Sequence, residues 1–249
     1  MFNFFAAANM RTENGYMISG GDYNHIKNVL RKNVGDKFLV SDNGESHLCE
    51  IEKIEEDFIL VKIIERNYND TSLPIELYLF EGLPKADKLE LIIQKAVELG
   101  VSGIIPVEME NCVVKLDQKK KSTKLSRWQS IAEAAAKQSK RNIIPTVFPV
   151  TEYKTVLENI NKLDLLLVPY ECAEGMKSTK NALLKLKKGM KIGILIGPEG
   201  GFSLNEIEKA KSWGAEIISL GKRILRTETA AITALSMCML YSETELTDD

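Results

Sequence analysis

The residues best suited to chemistry lie in one stretch, KIGILIGPEGGFSLNEIEKAKSWGAEIISLGKRILRTETAAI over 191–232. A glycine-rich turn, Gly197-Pro198-Glu199-Gly200-Gly201, follows one short apolar run. Gly221 follows a second, with Arg223, Arg226 and Glu228 close behind. Glycines let a backbone approach a ligand closely, and arginine supplies a charge that does not titrate away. The turn is not a Walker loop, because no Gly-Lys-Ser/Thr follows the glycines. It is not the dinucleotide fingerprint either, since Leu195 stands where a glycine of the first pair is needed. Pro198 has no N–H, and Glu199 repels phosphate. The pattern points to backbone contact with a ligand that is not a polyphosphate. An empty strand-to-helix turn uses the same glycines, so spacing alone leaves both readings open.

These residues need strands and helices to hold them. The runs 192–196 and 216–220 read as short buried parallel strands. Between them Ser203 and Glu206 have capping-box spacing, and Gly214 is placed to stop the helix. Ligands in open α/β sheets sit outside the carboxyl ends of strands. Two glycine turns at neighbouring strand ends are therefore expected to flank one cleft.

Upstream, strand and helix patterns alternate. Strands are expected at 75–81, 103–107, 146–149 and 163–168, and helices at 85–99, 123–140, 152–161 and 179–187. Helix 85–99 sets Leu89, Ile92, Ile93, Ala96 and Leu99 on one face, and Gly100 closes it. A last helix, 227–241, is apolar on most sides and must be buried in its own core or against a second subunit. Such alternation predicts a mainly parallel sheet with helices on both faces. Residues 1–70 instead read as a β-rich domain, with strands at 36–41, 46–54 and 58–65. Asp42-Asn43-Gly44 is a hairpin signal, and a helix at 23–32 has Asp22 as candidate cap. The polar stretch 67–74 is the expected boundary.

At 249 residues there is room for one large or two modest domains. No apolar run reaches the length of a membrane span, and the N-terminus lacks a signal-peptide pattern. Cys49, Cys112, Cys172 and Cys238 form no C-x-x-C, and there are only two histidines. This speaks against a zinc site and for free thiols in a reducing cytoplasm. A net charge of −2 argues against a protein that coats nucleic acid. Residues 115–141, however, carry nine Lys/Arg against Asp117 and Glu133, a concentration suited to phosphates. The lysines at 119–121 also read as a solvated loop.

Taken together, GPEGGF, the S-x-x-E helix start and SLGKRILRTETAA resemble the C-terminal signature of the RsmE family. Its members are SPOUT-superfamily methyltransferases acting on N3 of a uridine in 16S ribosomal RNA. LPKADKLELIIQKAVELGVSGIIPV (83–107), VVKL (113–116), RWQSIAEAAAKQSKR (127–141), HIKNVLRKNVGD (25–36) and FNFF (2–5) extend the resemblance, in order, over nearly the whole chain. It implies an α/β SPOUT methyltransferase domain over 71–249, with a mainly parallel sheet and a C-terminal trefoil knot. The knot is an exception to the rule that chains are un-knotted. It also implies a PUA-like β-barrel over 1–70 that helps hold RNA, a homodimer, and 16S ribosomal RNA of the small subunit as partner, with no membrane.

The implied cofactor is S-adenosyl-L-methionine, held by three loops. They carry Leu167-Val168-Pro169, Ile196-Gly197-Pro198-Glu199-Gly200, and Ser219-Leu220-Gly221 with Ile224-Leu225-Arg226. Leu220, Ile224 and Leu225 would pack the adenine, and the bare Cα of Gly197, Gly200 and Gly221 would leave it room. Candidate RNA contacts are Arg11, Lys27, Arg31, Lys32, Lys137, Lys140, Arg141 and Arg223. Uridine N3 is a poor nucleophile until its proton is lost, and the charge then spreads to the flanking carbonyl oxygens. Arg226 is the candidate to stabilise that anion, with Arg223 second; it could equally grip a phosphate or pair with Glu228. Glu199 is either a general base or the residue that orients its loop. Two other readings stay open. One is a SPOUT enzyme methylating a ribose hydroxyl or a transfer RNA base, and the other is a non-catalytic ribosome-assembly factor.

Overall fold

In the computed structural model, which describes residues 1–171 and 175–247, the chain divides into two units. The first is Met1–Ser72 with Ala136–Ile144. It contains β1 (Asn3–Phe5), β2 (Gly15–Ser19), α1 (Gly20–Asn24), β3 (Lys37–Asp42), β4 (Glu45–Ile54) and β5 (Phe58–Glu65). The strands form a five-stranded half-barrel sheet in the order β1-β3-β4-β5-β2. Only the β1–β3 pair is parallel. The hairpin turn has Asn43 at φ 51° and Gly44 at φ 87°, as a tight primed turn requires. Alternate residues point inward, so Phe4, Ile18, Phe38, Val40, Ile51 and Ile59 share one core.

Three local readings change here. The helix starts earlier than expected, at Gly20, with Ser19 in the cap position. Asp22 is therefore not the cap; it lies in the first turn, 3.0 Å from Lys137 Nζ. The short strands β1 and β2 carry too few residues to show a period. Residues 136–144, read linearly as part of the α/β region, join this unit because Asn3 Nδ2 donates to the Arg141 carbonyl at 3.0 Å.

The second unit is Leu73–Ala135 with Pro145–Asp249. In order it has β6 (Glu76–Gly82), α2 (Lys88–Glu98), β7 (Gly103–Glu108), α3 (Gln118–Ser139), β8 (Thr146–Val147), β9 (Thr151–Glu152) and α4 (Tyr153–Glu158). Then follow β10 (Leu165–Pro169), α5 (Met176–Leu183), β11 (Lys191–Ile196), α6 (Leu204–Ser212), β12 (Glu216–Ile218) and α7 (Thr227–Glu245). The sheet order is β12-β10-β11-β6-β7-β8, with β9 also on β7, and every pair is parallel. Strands covered on both faces need continuous apolar runs, and Leu77, Leu79, Ile104, Leu166, Leu167 and Ile192 are all fully buried. The capping box of α6 is formed: the Glu206 N–H donates to Ser203 Oγ at 3.2 Å, and the Ser203 N–H to Glu206 Oε2 at 2.8 Å.

The lysines at 119–121 are not a loop. They lie on the first turns of α3, which begins at Gln118 because the Asp117 carboxylate accepts the Lys120 N–H at 2.8 Å. Helix α7 packs on α2, β6 and β11 and buries Ala231, Ala234, Leu235 and Cys238, while Leu240 stays 59% exposed. Cys49, Cys112 and Cys238 are buried free thiols; Cys172 lies outside the described residues. Among the described residues no helix is long and apolar enough to cross a membrane.

Candidate active site

Strands β12 and β11 are consecutive in the chain but not neighbours, because β10 lies between them. The two ends marked by glycine turns are thus separated by β10, and the cleft is built from three strand ends, the number of loops the resemblance implied. Their loops surround a cavity of about 600 Å³, within the range of small-molecule sites. The β10 loop contributes Pro169, Tyr170 and Glu171. The β11 loop contributes Ile196 through Phe202, and the β12 loop Leu220, Gly221 and Arg223 through Arg226. Helix α7 adds Thr227 and Ala230, and α2 adds Lys88.

Three anticipated cofactor residues do not line this cavity. Leu167 and Val168 are fully buried in β10, and Ser219 is 5% exposed. They act behind the loops. Thr179 of α5, itself buried, accepts the Ser219 N–H at 3.0 Å and so fixes the start of the β12 loop. Tyr170 and Glu171 were legible as the residues directly after a strand. Lys88 and Phe202 lie in segments that carry the resemblance, 83–107 and 197–202, without being singled out, and Thr179 had no local signal.

The glycines are also required by the fold itself. A Cβ on Gly197 would meet the Phe202 ring at 3.1 Å, and one on Gly200 would meet Asn111 Cβ at 2.9 Å. Gly221 has φ 110°, a conformation L side chains rarely adopt. The chain's own packing thus requires Gly197 and Gly200, and its turn requires Gly221. Asn111 Nδ2 also donates to the carbonyls of Gly200 and Gly201, both at 3.2 Å. On the strand side, Gly82 lets Pro198 sit against β6: a Cβ there would lie 2.7 Å from Pro198 Cδ and N.

The charges sort into fixed and free. Glu199 accepts the Lys85 N–H at 3.0 Å and pairs with Lys88 Nζ at 3.0 Å. Lys88 also faces Glu228 at 3.5 Å. Burial pushes the Glu199 carboxyl up, but the Lys85 N–H and the Lys88 ammonium outweigh it and hold the group below the usual carboxylate range. A carboxylate so held is a weak proton acceptor. The arrangement fits the loop-orienting role for Glu199. Glu228 is turned to Lys88, so the anticipated Arg226–Glu228 pair does not form. Among the described residues Arg226 has no ion-pair partner, and it lies exposed on the cleft wall with Arg223 and Ile224, the last 84% exposed.

The candidate RNA contacts are less uniform. Arg223, Arg31 and Lys140 are exposed. Lys27 lies over the Tyr23 ring at 4.9 Å, Lys32 faces Asp36 at 3.7 Å, and Lys137 faces Asp22. Arg141 departs from that expectation: it is 8% exposed, so its side chain is buried rather than offered to phosphates. Arg11 grips Asp42 through two hydrogen bonds, at 2.6 and 2.7 Å, beside a pocket of about 350 Å³ shared with Tyr16, His47 and Arg66. The hydrogen-bonded Arg11 guanidinium holds the Asp42 carboxyl below its usual range. A carboxyl depressed in the folded state stabilises fully above its unfolded pKa, about 3.9, and loses that contribution as pH falls through the lower folded value. Asp42→Asn is therefore expected to lower stability at pH 7, with the gap to wild type closing below about pH 4. Chemical denaturation at pH 7 and at about pH 2 checks this.

Residues 71–239 match the RNA methyltransferase domain family, and 18–64 match the RNA methyltransferase PUA domain. The chain is 40% identical over 232 residues to the ribosomal RNA small subunit methyltransferase E of Bacillus subtilis, covering 92% of this chain and 91% of that one. It is 35% identical to the enzyme of the same name from Mesomycoplasma hyopneumoniae, covering 96% and 99%. A crystal structure of the ribosomal RNA small subunit methyltransferase E of Neisseria gonorrhoeae bound to S-adenosyl methionine superposes with a TM-score of 0.81. It shares 28% identity and covers 96% of this chain and 97% of that one.

Proposed function

The chain belongs to the ribosomal RNA small subunit methyltransferase E family, and from that premise we propose that it methylates N3 of a uridine in 16S ribosomal RNA with S-adenosylmethionine as donor. The observation that carries the reading is the cleft at the carboxyl ends of β10, β11 and β12, with an arginine on its wall that has no ion-pair partner among the described residues. The residues fit the donor. Leu220, Ile224 and Leu225 offer apolar surface for a nucleoside, and Ile224 is left uncovered at 84% exposure. Pro198 and the carboxylate of Glu199 suit a cationic ligand better than a phosphate. When bound, the donor supplies an electrophilic methyl group on a sulfonium.

This chain's residues supply position and charge. Glu199, anchored to Lys85 and Lys88, holds the β11 loop in place. The target base must be unpaired or swung out before N3 is reachable. Arg226 faces it and stabilises the negative charge on the uracil oxygens once the N3 proton has left, and Arg223 at the rim meets RNA phosphate. Arg11, Lys27, Arg31, Lys32 and Lys140 belong to the RNA-holding surface of the PUA-like unit. We assign the boundary between the two domains to the 67–74 linker. The protein acts as a homodimer in the cytoplasm. Support for a second copy comes from α7, which leaves Leu240 exposed and Ile232, Met237 and Met239 half-buried.

The test is to incubate the protein with unmodified small subunits and methyl-labelled donor, then to map the label. Label on uridine N3 is expected. Label on a ribose or on transfer RNA would assign a different target, and RNA binding without transfer would mean an assembly factor. Sedimentation equilibrium tests the dimer, with a monomer at micromolar concentration as the contrary result.

A further inference from the structure

Glu81 is the one charged-type side chain in the second unit's sheet that is fully buried among the described residues. It sits near the carboxyl end of the central strand β6, in register with Ile196 of β11 and Pro106 of β7. Its Oε1 lies 2.8 Å from Thr227 Oγ1, and its Oε2 has no hydrogen-bond partner among the described residues. Thr227, the first residue of α7, places the same Oγ1 2.9 Å from the carbonyl oxygen of Gly197.

Counting protons decides how this chain of contacts works. A carbonyl oxygen only accepts, and a threonine hydroxyl has one proton to give. If Glu81 were ionised, the Thr227 proton would go to the carboxylate and the Gly197 carbonyl would face a lone pair. If Glu81 is neutral, its O–H donates to Thr227 Oγ1, and the Thr227 O–H donates to Gly197. Both contacts are then satisfied. The unpartnered Oε2 points the same way, since a buried, unpaired charge costs far more than a buried carbonyl. Burial pushes the Glu81 carboxyl well above its usual range, with the nearby Glu199 and Glu228 adding to the effect against the opposing Thr227 hydrogen bond.

We propose that Glu81 is a neutral acid serving as a positioning residue: through Thr227 its proton pins the Gly197 carbonyl, and so the glycine loop, to the start of α7. Gly197 opens the β11 loop of the cleft, and Thr227 directly follows Arg226. One buried hydrogen-bond relay therefore sets the spacing between the loop assigned to the donor and the arginine assigned to the base. The inference rests on the reading of this cleft as the donor site.

A glutamine presents the same N–H donor that the neutral acid presents as O–H, and cannot ionise. Glu81→Ala is expected to weaken S-adenosylhomocysteine binding about tenfold, as losing a buried hydrogen-bond partner does, and Glu81→Gln to restore affinity to within about twofold of wild type. Thr227→Val is expected to reproduce the loss, with Thr227→Ser rescuing it. Calorimetry gives the affinities. The infrared difference spectrum between wild type and Glu81→Gln at pH 7 reads the proton directly, as a protonated carboxylic acid band present only in wild type. A carboxylate band in its place, or a Gln variant as weak as the Ala variant, overturns the proposal. Should Glu81→Ala fail to fold, the Gln variant and the infrared band decide alone. Should the wild type bind no donor product, the cleft assignment fails, and a carboxylate band then overturns the neutral acid as well.

Discussion

Arg226→Ala is expected to lower the rate of methyl transfer by about 100- to 1,000-fold, the usual loss when one donor to a developing anion is removed. Affinity for S-adenosylhomocysteine is expected to stay within about threefold of wild type, well under 1.4 kcal/mol. Lys88 is taken up by Glu199 and Glu228, whereas Arg226 lies on the cleft wall with no ion pair among the described residues. Its side chain holds no element of the fold together, so removing it should not disturb the loops that grip the donor. Single-turnover transfer with labelled donor gives the rate, and calorimetry gives the affinity. A collapse of affinity at an unchanged rate constant would assign Arg226 to the donor and leave the base without its counter-charge.

Gly82→Ala is the second large effect. The added methyl group would stand 2.7 Å from both Pro198 Cδ and Pro198 N, and 2.9 Å from Met109 Sδ. The methionine can swing away, but a proline ring fused to its own backbone cannot. The β11 loop must therefore lift off β6, at a cost of about 1–3 kcal/mol for overpacking. Because that loop forms one wall of the cleft, donor affinity is expected to fall by at least about tenfold. The melting temperature should fall as well, because part of the strain remains without ligand. Affinity and melting temperature equal to wild type would show that Pro198 does not seat on Gly82 in solution.

Most of the architecture was legible because it depends on local pattern. The 203–206 capping box, the Asn43-Gly44 turn and the continuous apolar runs of β10 and β11 involve residues adjacent in the chain, and each has a period or spacing of its own. Of the boundaries that moved, that of α3 did so for an equally local reason. Asp117 starts α3 earlier than the apolar period suggests, and Ser19 takes the cap position that Asp22 was expected to fill. The site was harder to read. Its glycines were found, but their packing role was not, since Phe202 and Asn111 become neighbours of Gly197 and Gly200 only after folding.

The sequence by itself determined a β-rich unit followed by an alternating α/β unit, and it marked the glycine turns and Arg226 as the place for chemistry. Periodicity and turn preference act over a few residues, so they survive in a linear string. Only the tertiary structure decided that β10 separates the two glycine turns, that Lys88 rather than Arg226 neutralises Glu228, and that Arg141 is buried. The same holds for Glu81, which meets Thr227 across 146 positions of chain. No local pattern encodes such pairs, because their energy comes from burial and from charges brought together by the sheet order.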